Sequence, residues 1–263
     1  KDTKEGDRPL QLYKHQVDAI QAASTRNNYI LTTGTGSGKS LAYVIPIVDR
    51  ILREGSGQGI KAIIIYPMNA LATDQAKRFA KEIHQQPALK GLRVGLFVGG
   101  DGQGTQAMGE NQVITSKEVL RSDPPDVLLT NYKMLDYLLM RPKDQPLWRY
   151  NAPGTLRYLV VDELHTFDGA QGTDLACLLR RLKARLGTPP GYLCPVGTSA
   201  TLGGEAAKKR LIRYAEQVFG ESFDQDSVIT ENRQSAADFS RGRQIDMTEV
   251  PGPEQAAVLP PGN

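Results

Sequence analysis

The chain has 263 residues, of which 40% are hydrophobic and 23% are charged. This composition excludes a disordered or fibrous chain and, at about 150 residues per domain, predicts one large or two small domains. The 32 basic and 29 acidic residues leave a net charge of +3, which by itself is too small to indicate a nucleic-acid partner.

Six short apolar runs have the length of β-strands, and several are rich in Val and Ile. They lie at 29–31, 61–66, 92–98, 126–129, 156–161 and 193–196. Helical spacing of apolar residues is found at 41–51, 71–83 and 206–219. A further helix is marked by leucines from Leu175 to Leu186, with Thr173 as its predicted N-cap and Gly187 as its predicted end. This alternation predicts a three-layer α/β domain, a mostly parallel sheet flanked by helices.

Other segments are predicted to lie outside the sheet and its helices. Glycines concentrated between Gly99 and Gly109 predict a loop, and four prolines in 251–263 predict a linker or tail. We therefore expect a folded domain over 1–235 and a linker over 236–263.

The chain starts at Lys1, without an initiator Met or the apolar core of a signal peptide. We therefore expect a piece of a longer polypeptide. Cys177 and Cys194 have no second pair, which disfavours a zinc cage or a disulfide framework and favours a reducing, cytoplasmic setting. The longest apolar runs fall far short of the roughly 20 residues that cross a bilayer, so no membrane partner is expected.

A glycine-rich loop follows the first predicted strand and leads directly into a helix. It reads Thr33-Gly34-Thr35-Gly36-Ser37-Gly38-Lys39-Ser40. Glycines let backbone amides turn toward phosphate oxygens, and a helix N-terminus adds partial positive charge. We predict that the loop binds a nucleotide, with Lys39 neutralising the β and γ phosphates and Ser40 ligating Mg²⁺. Its first position is Thr33 rather than the usual Gly, and the alternative is a glycine-rich loop with an exposed lysine.

Two adjacent carboxylates follow the strand predicted at 156–161. Asp162 and Glu163 come directly after Val161. A carboxylate at the end of a buried strand beside a phosphate loop can hold Mg²⁺ through water, and its neighbour can position the attacking water. We assign these two roles to Asp162 and Glu163. Without the phosphate loop, such a pair would more often be a solvated strand end.

Five segments resemble motifs I, Ia, Ib, II and III of superfamily 2 helicases of the DExH type. In chain order they are TGTGSGKS (33–40), YPMNALATDQ (66–75), LLTNYKML (128–135), VVDELH (160–165) and GTSATL (197–202). The resemblance implies a RecA-like fold, here the first of two lobes, with a second RecA-like lobe in the parent chain. Finer features are similar to DNA helicases of the bacterial mitomycin-repair type and to the helicase subunit of the DISARM antiphage system.

The same resemblance implies roles for residues outside the phosphate loop and acidic pair. Gln16 looks like the glutamine that reads adenine, with Tyr13 the nearest aromatic that could stack; a surface glutamine on an amphipathic helix is the alternative. The implied contacts to a nucleic-acid backbone are Pro67, Asn69, Thr130 and Asn131, although each could equally serve a turn or cap. The implied coupling residues, which link nucleotide state to strand binding, are His165, Ser199 and Thr201.

These observations predict an ATP-dependent DNA helicase or translocase that uses Mg²⁺, in DNA repair or antiphage defence and with partner subunits of such a complex. An RNA helicase is one alternative, and a nucleotide switch or assembly module that does not unwind is another. Two basic clusters leave a further choice open between a solvated helix face and a nucleic-acid flank. The clusters are Arg180, Arg181, Lys183 and Arg185, and Lys208, Lys209, Arg210 and Arg213.

Overall fold

The computed structural model describes residues 11–25, 27–34, 36–100, 104–200 and 204–231. Within them, seven strands form a single sheet in the order β3-β4-β2-β5-β6-β1-β7, and every paired strand is parallel to its neighbours. The strands are β1 (Tyr29–Thr32), β2 (Ala62–Tyr66), β3 (Val94–Phe97), β4 (Val127–Asn131), β5 (Tyr158–Val161), β6 (Cys194–Ser199) and β7 (Val228–Thr230). The six predicted strands are confirmed, and β7 is an addition at the sheet edge.

In the described part of the chain, seven α-helices precede, connect or follow these strands. They are α1 (Lys14–Ser24), α2 (Lys39–Glu54), α3 (Asn69–His84), α4 (Lys117–Ser122), α5 (Tyr132–Met140), α6 (Gly169–Leu186) and α7 (Gly204–Phe219). The helices predicted at 41–51, 71–83 and 206–219 are confirmed with slightly wider bounds. Short 3-10 turns occur at Pro87–Leu89, Pro142–Trp148, Leu164–Thr166 and Gln225–Ser227.

Two apolar cores cover the two faces of the sheet. Side chains alternate between the faces along each strand, so that Ile63 and Ile65 belong to one core and Ile64 to the other. The first core is completed by α4 to α7 and the second by α1 to α3. A parallel sheet buried on both faces needs nearly continuous apolar strands, which is the pattern the sequence shows. The predicted three-layer α/β architecture is confirmed.

The leucine helix begins earlier than expected. Gly187 does end α6, in the left-handed conformation with φ 60°. The prediction for Thr173 is wrong, because α6 starts at Gly169 with Asp168 as N-cap, and the Thr173 hydroxyl donates to Gly169 O within the helix at 3.4 Å. The first turn carries Gly169, which is left-handed with φ 53°. It also carries Gly172, where a Cβ would lie 2.6 Å from the Tyr214 hydroxyl.

Some predictions concern residues that the structure does not describe or describes only in part. Residues 104–109 of the glycine-rich segment form no helix or strand, as expected, while 101–103 lie outside the described residues. Because the described chain ends at Glu231, the boundary between 235 and 236 stays a prediction.

Cys177 and Cys194 are both free thiols. In the part of the chain described here, no helix is long and apolar enough to cross a membrane.

Candidate functional site

The predicted site residues collect at one edge of the sheet. In parallel strands all carboxyl ends lie at the same edge, and the phosphate loop, the acidic pair and the segments after β2, β4 and β6 all follow such ends;. The sheet order places β6 between β1, which leads into the loop, and β5, which leads into the acidic pair. Residues at the end of β6 therefore lie between the two halves of the predicted nucleotide site.

The phosphate loop turns sharply between β1 and α2. Gly36 and Gly38 have φ values of 81° and 75°, in the left-handed region that favours glycine;. The hydroxyls of Thr33 and Ser37 are 2.6 Å apart, so Thr33 closes the loop with a hydrogen bond that glycine could not make. Thr35 lies outside the described residues. The departure from the usual first glycine is thus compatible with a formed loop.

Helix α1 braces the loop from the side. Gln16 is only 2% exposed; its Nε2 donates to Gly38 O at 3.0 Å, and its Oε1 accepts the Tyr13 N–H at 2.9 Å. His15 Nε2 lies 3.0 Å from Ser37 O. Gln16 is therefore not a surface glutamine, although adenine reading stays a prediction. Tyr13 is 65% exposed and stacks on the His15 ring at a centroid distance of 5.7 Å.

The loop lysine and the acidic pair meet directly. Lys39 Nζ lies 3.3 Å from Glu163 Oε1 and donates to Ser199 O at 3.4 Å. Asp162 is nearly buried at 9% exposure. Burial raises the pKa of Asp162, while its hydrogen bond from Thr198 opposes the increase;. The structure thus joins two residues, Lys39 and Glu163, that lie 124 positions apart in the sequence.

Glu163 has an unusual backbone. Its φ of 50° is left-handed, a conformation that costs about 1–2 kcal/mol for a residue with a Cβ. Its carboxylate lies between two cationic or titratable groups, because Oε2 is 3.5 Å from His165 Nδ1 while Oε1 faces Lys39. His165 Nδ1 is also 3.3 Å from the Ser199 hydroxyl. His165 and Ser199 are therefore brought together beside the acid, and Thr201 lies outside the described residues.

The residues predicted to hold magnesium provide hard oxygen ligands. Ser40 offers a hydroxyl at the start of α2 and Asp162 a carboxylate, the donor type that Mg²⁺ prefers together with water and phosphate oxygens. No group of three or more His, Cys, Asp or Glu side chains that could hold a metal occurs among the described residues. Ser40 and Asp162 therefore fit a Mg²⁺ ion that arrives with a nucleotide, since the phosphates would complete the coordination of the ion.

Sequence reasoning missed several contacts at this site. The Ser40 hydroxyl donates to Gln75 Oε1 at 3.2 Å. Gln75 ends the segment 66–75 that resembles motif Ia, but the sequence indicated no role for it. Thr198 donates to Asp162 Oδ1 at 2.6 Å and accepts the Glu163 N–H at 2.9 Å. At the end of the described chain, Glu231 Oε2 accepts the Gly34 N–H at 3.2 Å. These pairings depend on strand order, so no local pattern would have indicated them.

The predicted nucleic-acid residues lie at the ends of neighbouring strands. Tyr66 pairs with Asn131 in the sheet, and Asn131 Nδ2 donates to Asn69 Oδ1 at 2.5 Å. Asn131 Oδ1 also caps α5 by accepting the Met134 N–H at 2.7 Å. Asn69 is exposed, while Asn131 and Pro67 are half-buried. The two asparagines thus connect the starts of α3 and α5.

Thr130 differs from these residues. It is fully buried, and its hydroxyl donates to Phe97 O at 2.7 Å. Its side chain is thus packed inside the domain instead of facing solvent beside Asn69. Met68, which the sequence did not single out, is 64% exposed next to Pro67.

The basic residues of α6 form contacts within the domain. Arg180 donates to Gln217 O at 3.0 Å, and Lys183 donates to Phe219 O at 2.9 Å and pairs with Glu221 at 2.9 Å. Arg181 pairs with Asp136, and Arg185 donates to Gln145. These contacts favour a structural role for the cluster, and Arg180 and Lys183 complement the carboxyl end of α7;.

Fold and site together define a RecA-like domain with a phosphate loop and a strand-end acidic pair. A comparison with protein families matches residues 13–209 to the DEAD/DEAH box helicase model. The chain belongs to this family. The predicted resemblance to the first RecA-like lobe of a superfamily 2 helicase is confirmed.

Individual proteins support the same conclusion. Druantia protein DruE of Escherichia coli is 25% identical, over 73% of this chain and 16% of DruE. The ATP-dependent helicase hrq1 of Schizosaccharomyces pombe is 31% identical, over 65% of this chain and 14% of hrq1. Among solved structures, the DUF1998 helicase MrfA bound to DNA is 26% identical with a TM-score of 0.65, over 88% of this chain and 27% of MrfA. The chain thus spans only about a sixth of the length of DruE and a seventh of that of hrq1.

Proposed function

We propose that this chain is the ATP-binding motor lobe of a DNA helicase or translocase. The observation that carries the proposal is the 3.3 Å contact between Lys39 Nζ and Glu163 Oε1. It supports a single site in which the loop lysine and the acidic pair act on one triphosphate. DNA is favoured as the nucleic acid because the similar MrfA structure is a complex with DNA.

Each residue has a role that follows from its chemistry. Loop amides and Lys39 would bind the triphosphate, and Lys39 would stabilise charge that develops on the γ-phosphate. Glu163 would accept a hydrogen bond from the attacking water and align it, since its carboxylate already lies beside Lys39. Ser40 and Asp162 would hold Mg²⁺, Asp162 through water, and the ion would supply further charge stabilisation when bound.

The nucleic acid would lie across the starts of α3 and α5. Asn69 and Asn131 support this placement, because amide groups and helix N-termini bind phosphate without reading bases. His165 contacts both Glu163 and the Ser199 hydroxyl, and His165 and Ser199 would transmit the state of the nucleotide. A second RecA-like lobe and partner subunits of a repair or defence complex are part of the same proposal.

Replacing Glu163 tests the catalytic assignment. In the full-length protein, Glu163→Gln should still bind ATP but lose DNA-stimulated turnover, because an amide cannot orient the water in the same way. Glu54→Gln is the matched control, since Glu54 ends α2 at the opposite edge and pairs with Arg50. Turnover of Glu163→Gln at the rate of Glu54→Gln would refute the assignment.

The choice between DNA and RNA needs a separate measurement. Backbone contacts by Asn69 and Asn131 do not by themselves distinguish the two sugars. ATPase stimulation by single-stranded DNA and by RNA of the same sequence and length should be stronger for DNA. Stronger stimulation by RNA would favour the RNA helicase alternative, and stimulation by neither would favour a nucleotide switch.

A further inference from the structure

We propose that Thr198 is the positioning residue of the acidic pair, whose hydroxyl holds the Asp162 carboxylate and the Glu163 backbone in the arrangement that binds a magnesium nucleotide. The inference rests on the proposed function, because it requires that this site bind a nucleotide with Mg²⁺. Thr198 itself would touch neither the nucleotide nor the ion.

The position of Thr198 follows from the order of the strands. Strand β6 lies between β1 and β5, and its register with β5 pairs Val161 with Gly197. The next residue on each strand then places Thr198 beside Asp162. Thr198 is fully buried, so water does not compete for its hydroxyl.

One hydroxyl connects both acids. Its hydrogen is donated to Asp162 Oδ1 at 2.6 Å, and its oxygen accepts the Glu163 N–H at 2.9 Å. A hydroxyl has one donor and two lone pairs, so the donor is fully used by Asp162. The carboxylate that would hold the ion is thereby fixed in orientation by a partner that stays in the sheet.

The second contact holds a strained residue. Glu163 is left-handed with φ 50°, and its carbonyl accepts from the backbone N–H and the hydroxyl of Thr166, each at 2.8 Å. Thr198 fixes the amide side and Thr166 the carbonyl side. With both sides held, the Glu163 side chain is directed toward Lys39 rather than free to turn away.

A purely structural role for Thr198 makes a different prediction. A buried hydroxyl with two satisfied hydrogen bonds stabilises the fold wherever it lies, and its loss would lower stability without altering how Mg²⁺ promotes nucleotide binding. A positioning role should reduce the gain in nucleotide affinity that Mg²⁺ provides and leave magnesium-free affinity nearly unchanged.

Ser227 provides a matched control. Its hydroxyl also donates to a carboxylate, Asp224 Oδ1 at 2.7 Å, and accepts a backbone N–H, from Asp224 at 3.0 Å. It directly precedes β7 and therefore lies at the amino edge of the sheet, away from the site. Ser227→Ala removes the same kinds of hydrogen bond as a substitution of Thr198.

The experiment measures binding of N-methylanthraniloyl-ADP to the 263-residue chain by fluorescence anisotropy, in excess MgCl₂ and in excess EDTA. Thr198→Val keeps the shape and removes the hydroxyl. Thr198→Ala is measured in parallel, so that a folding defect in one variant leaves the other informative, and circular dichroism verifies each fold. Thr198→Ser restores the hydroxyl.

We expect Thr198→Val and Thr198→Ala to lose about 10- to 100-fold of the affinity gained with Mg²⁺, the usual effect of removing a partner behind a metal ligand. Thr198→Ser and Ser227→Ala should keep the wild-type gain. An unchanged gain in both hydroxyl-free variants, or a Thr198→Ser variant as defective as they are, would overturn the positioning role alone. Absence of saturable nucleotide binding by the wild-type chain would overturn the proposed function, and this inference with it.

Discussion

Replacing Lys183 tests whether the basic cluster on α6 has a structural role or forms a nucleic-acid flank. Lys183 Nζ donates to Phe219 O at 2.9 Å, to Gly220 O at 3.3 Å and to Glu221 Oε1 at 2.9 Å. The side chains of Lys183 and Glu221 are only 18% and 11% exposed. Lys183→Met keeps most of the aliphatic packing but removes all three polar contacts.

The expected loss of stability follows from these contacts. A hydrogen bond from a charged donor contributes about 1.5–3 kcal/mol, and a cation at a helix carboxyl end about 0.3–1 kcal/mol. The two terms overlap, because the carbonyls of Phe219 and Gly220 belong to the end of α7. We therefore expect Lys183→Met to lower the free energy of unfolding by about 2 kcal/mol, or Tm by about 4–8 °C.

Urea unfolding and single-stranded DNA binding as a function of salt together test this expectation. The slope of log affinity against log salt should match wild type, because Lys183 is already paired within the domain. Lys90→Met is the stability control, since Lys90 is exposed beyond the 3-10 turn before β3. Unchanged stability together with a slope reduced by about 0.7, the value for one lost phosphate contact on a single strand, would refute the reasoning and favour a nucleic-acid flank.

Three further predictions concern other parts of the domain. Asp126 is fully buried and accepts hydrogen bonds from Lys61 Nζ at 2.9 Å, from the Gly57 N–H at 2.8 Å and from the Arg93 N–H at 3.0 Å. Asp126→Asn should therefore lower the free energy of unfolding, measured with urea, by about 3–5 kcal/mol. A decrease below about 1 kcal/mol would contradict this prediction. Burial raises the pKa of Cys194 to about 12, so above about pH 9 only the unfolded thiol loses its proton and stability falls with pH, by up to about 1.4 kcal/mol per pH unit. Cys194→Val should flatten this decline between about pH 9 and 10, and an identical slope would disprove the assignment. Asn131→Asp preserves the acceptor that caps α5 but adds a negative charge and removes the donor to Asn69, so it should weaken DNA binding by more than Asn131→Ser, which keeps a capping hydroxyl without the charge; equal affinity of the two variants would argue against contact there.

Short-range patterns in the sequence determined the strands, the phosphate loop and the acidic pair of this protein. Runs such as 61–66 and 156–161 predicted strands because apolar residues buried on both faces leave a continuous signature. The phosphate loop and the left-handed end at Gly187 were predictable because glycine conformations are decided within a few residues. The acidic pair was recognised by its place directly after a strand. All of these features depend on neighbours along the chain.

Tertiary structure decided which distant residues meet. The insertion of β6 between β1 and β5 gave Thr198 its contact with Asp162, and the packing of α3 brought Gln75 to Ser40. The partners of Lys183 lie at the end of a different helix, so its charge alone could not reveal its role. Strand order and register are selected by the free energy of the whole packed sheet, which no segment of a few residues encodes.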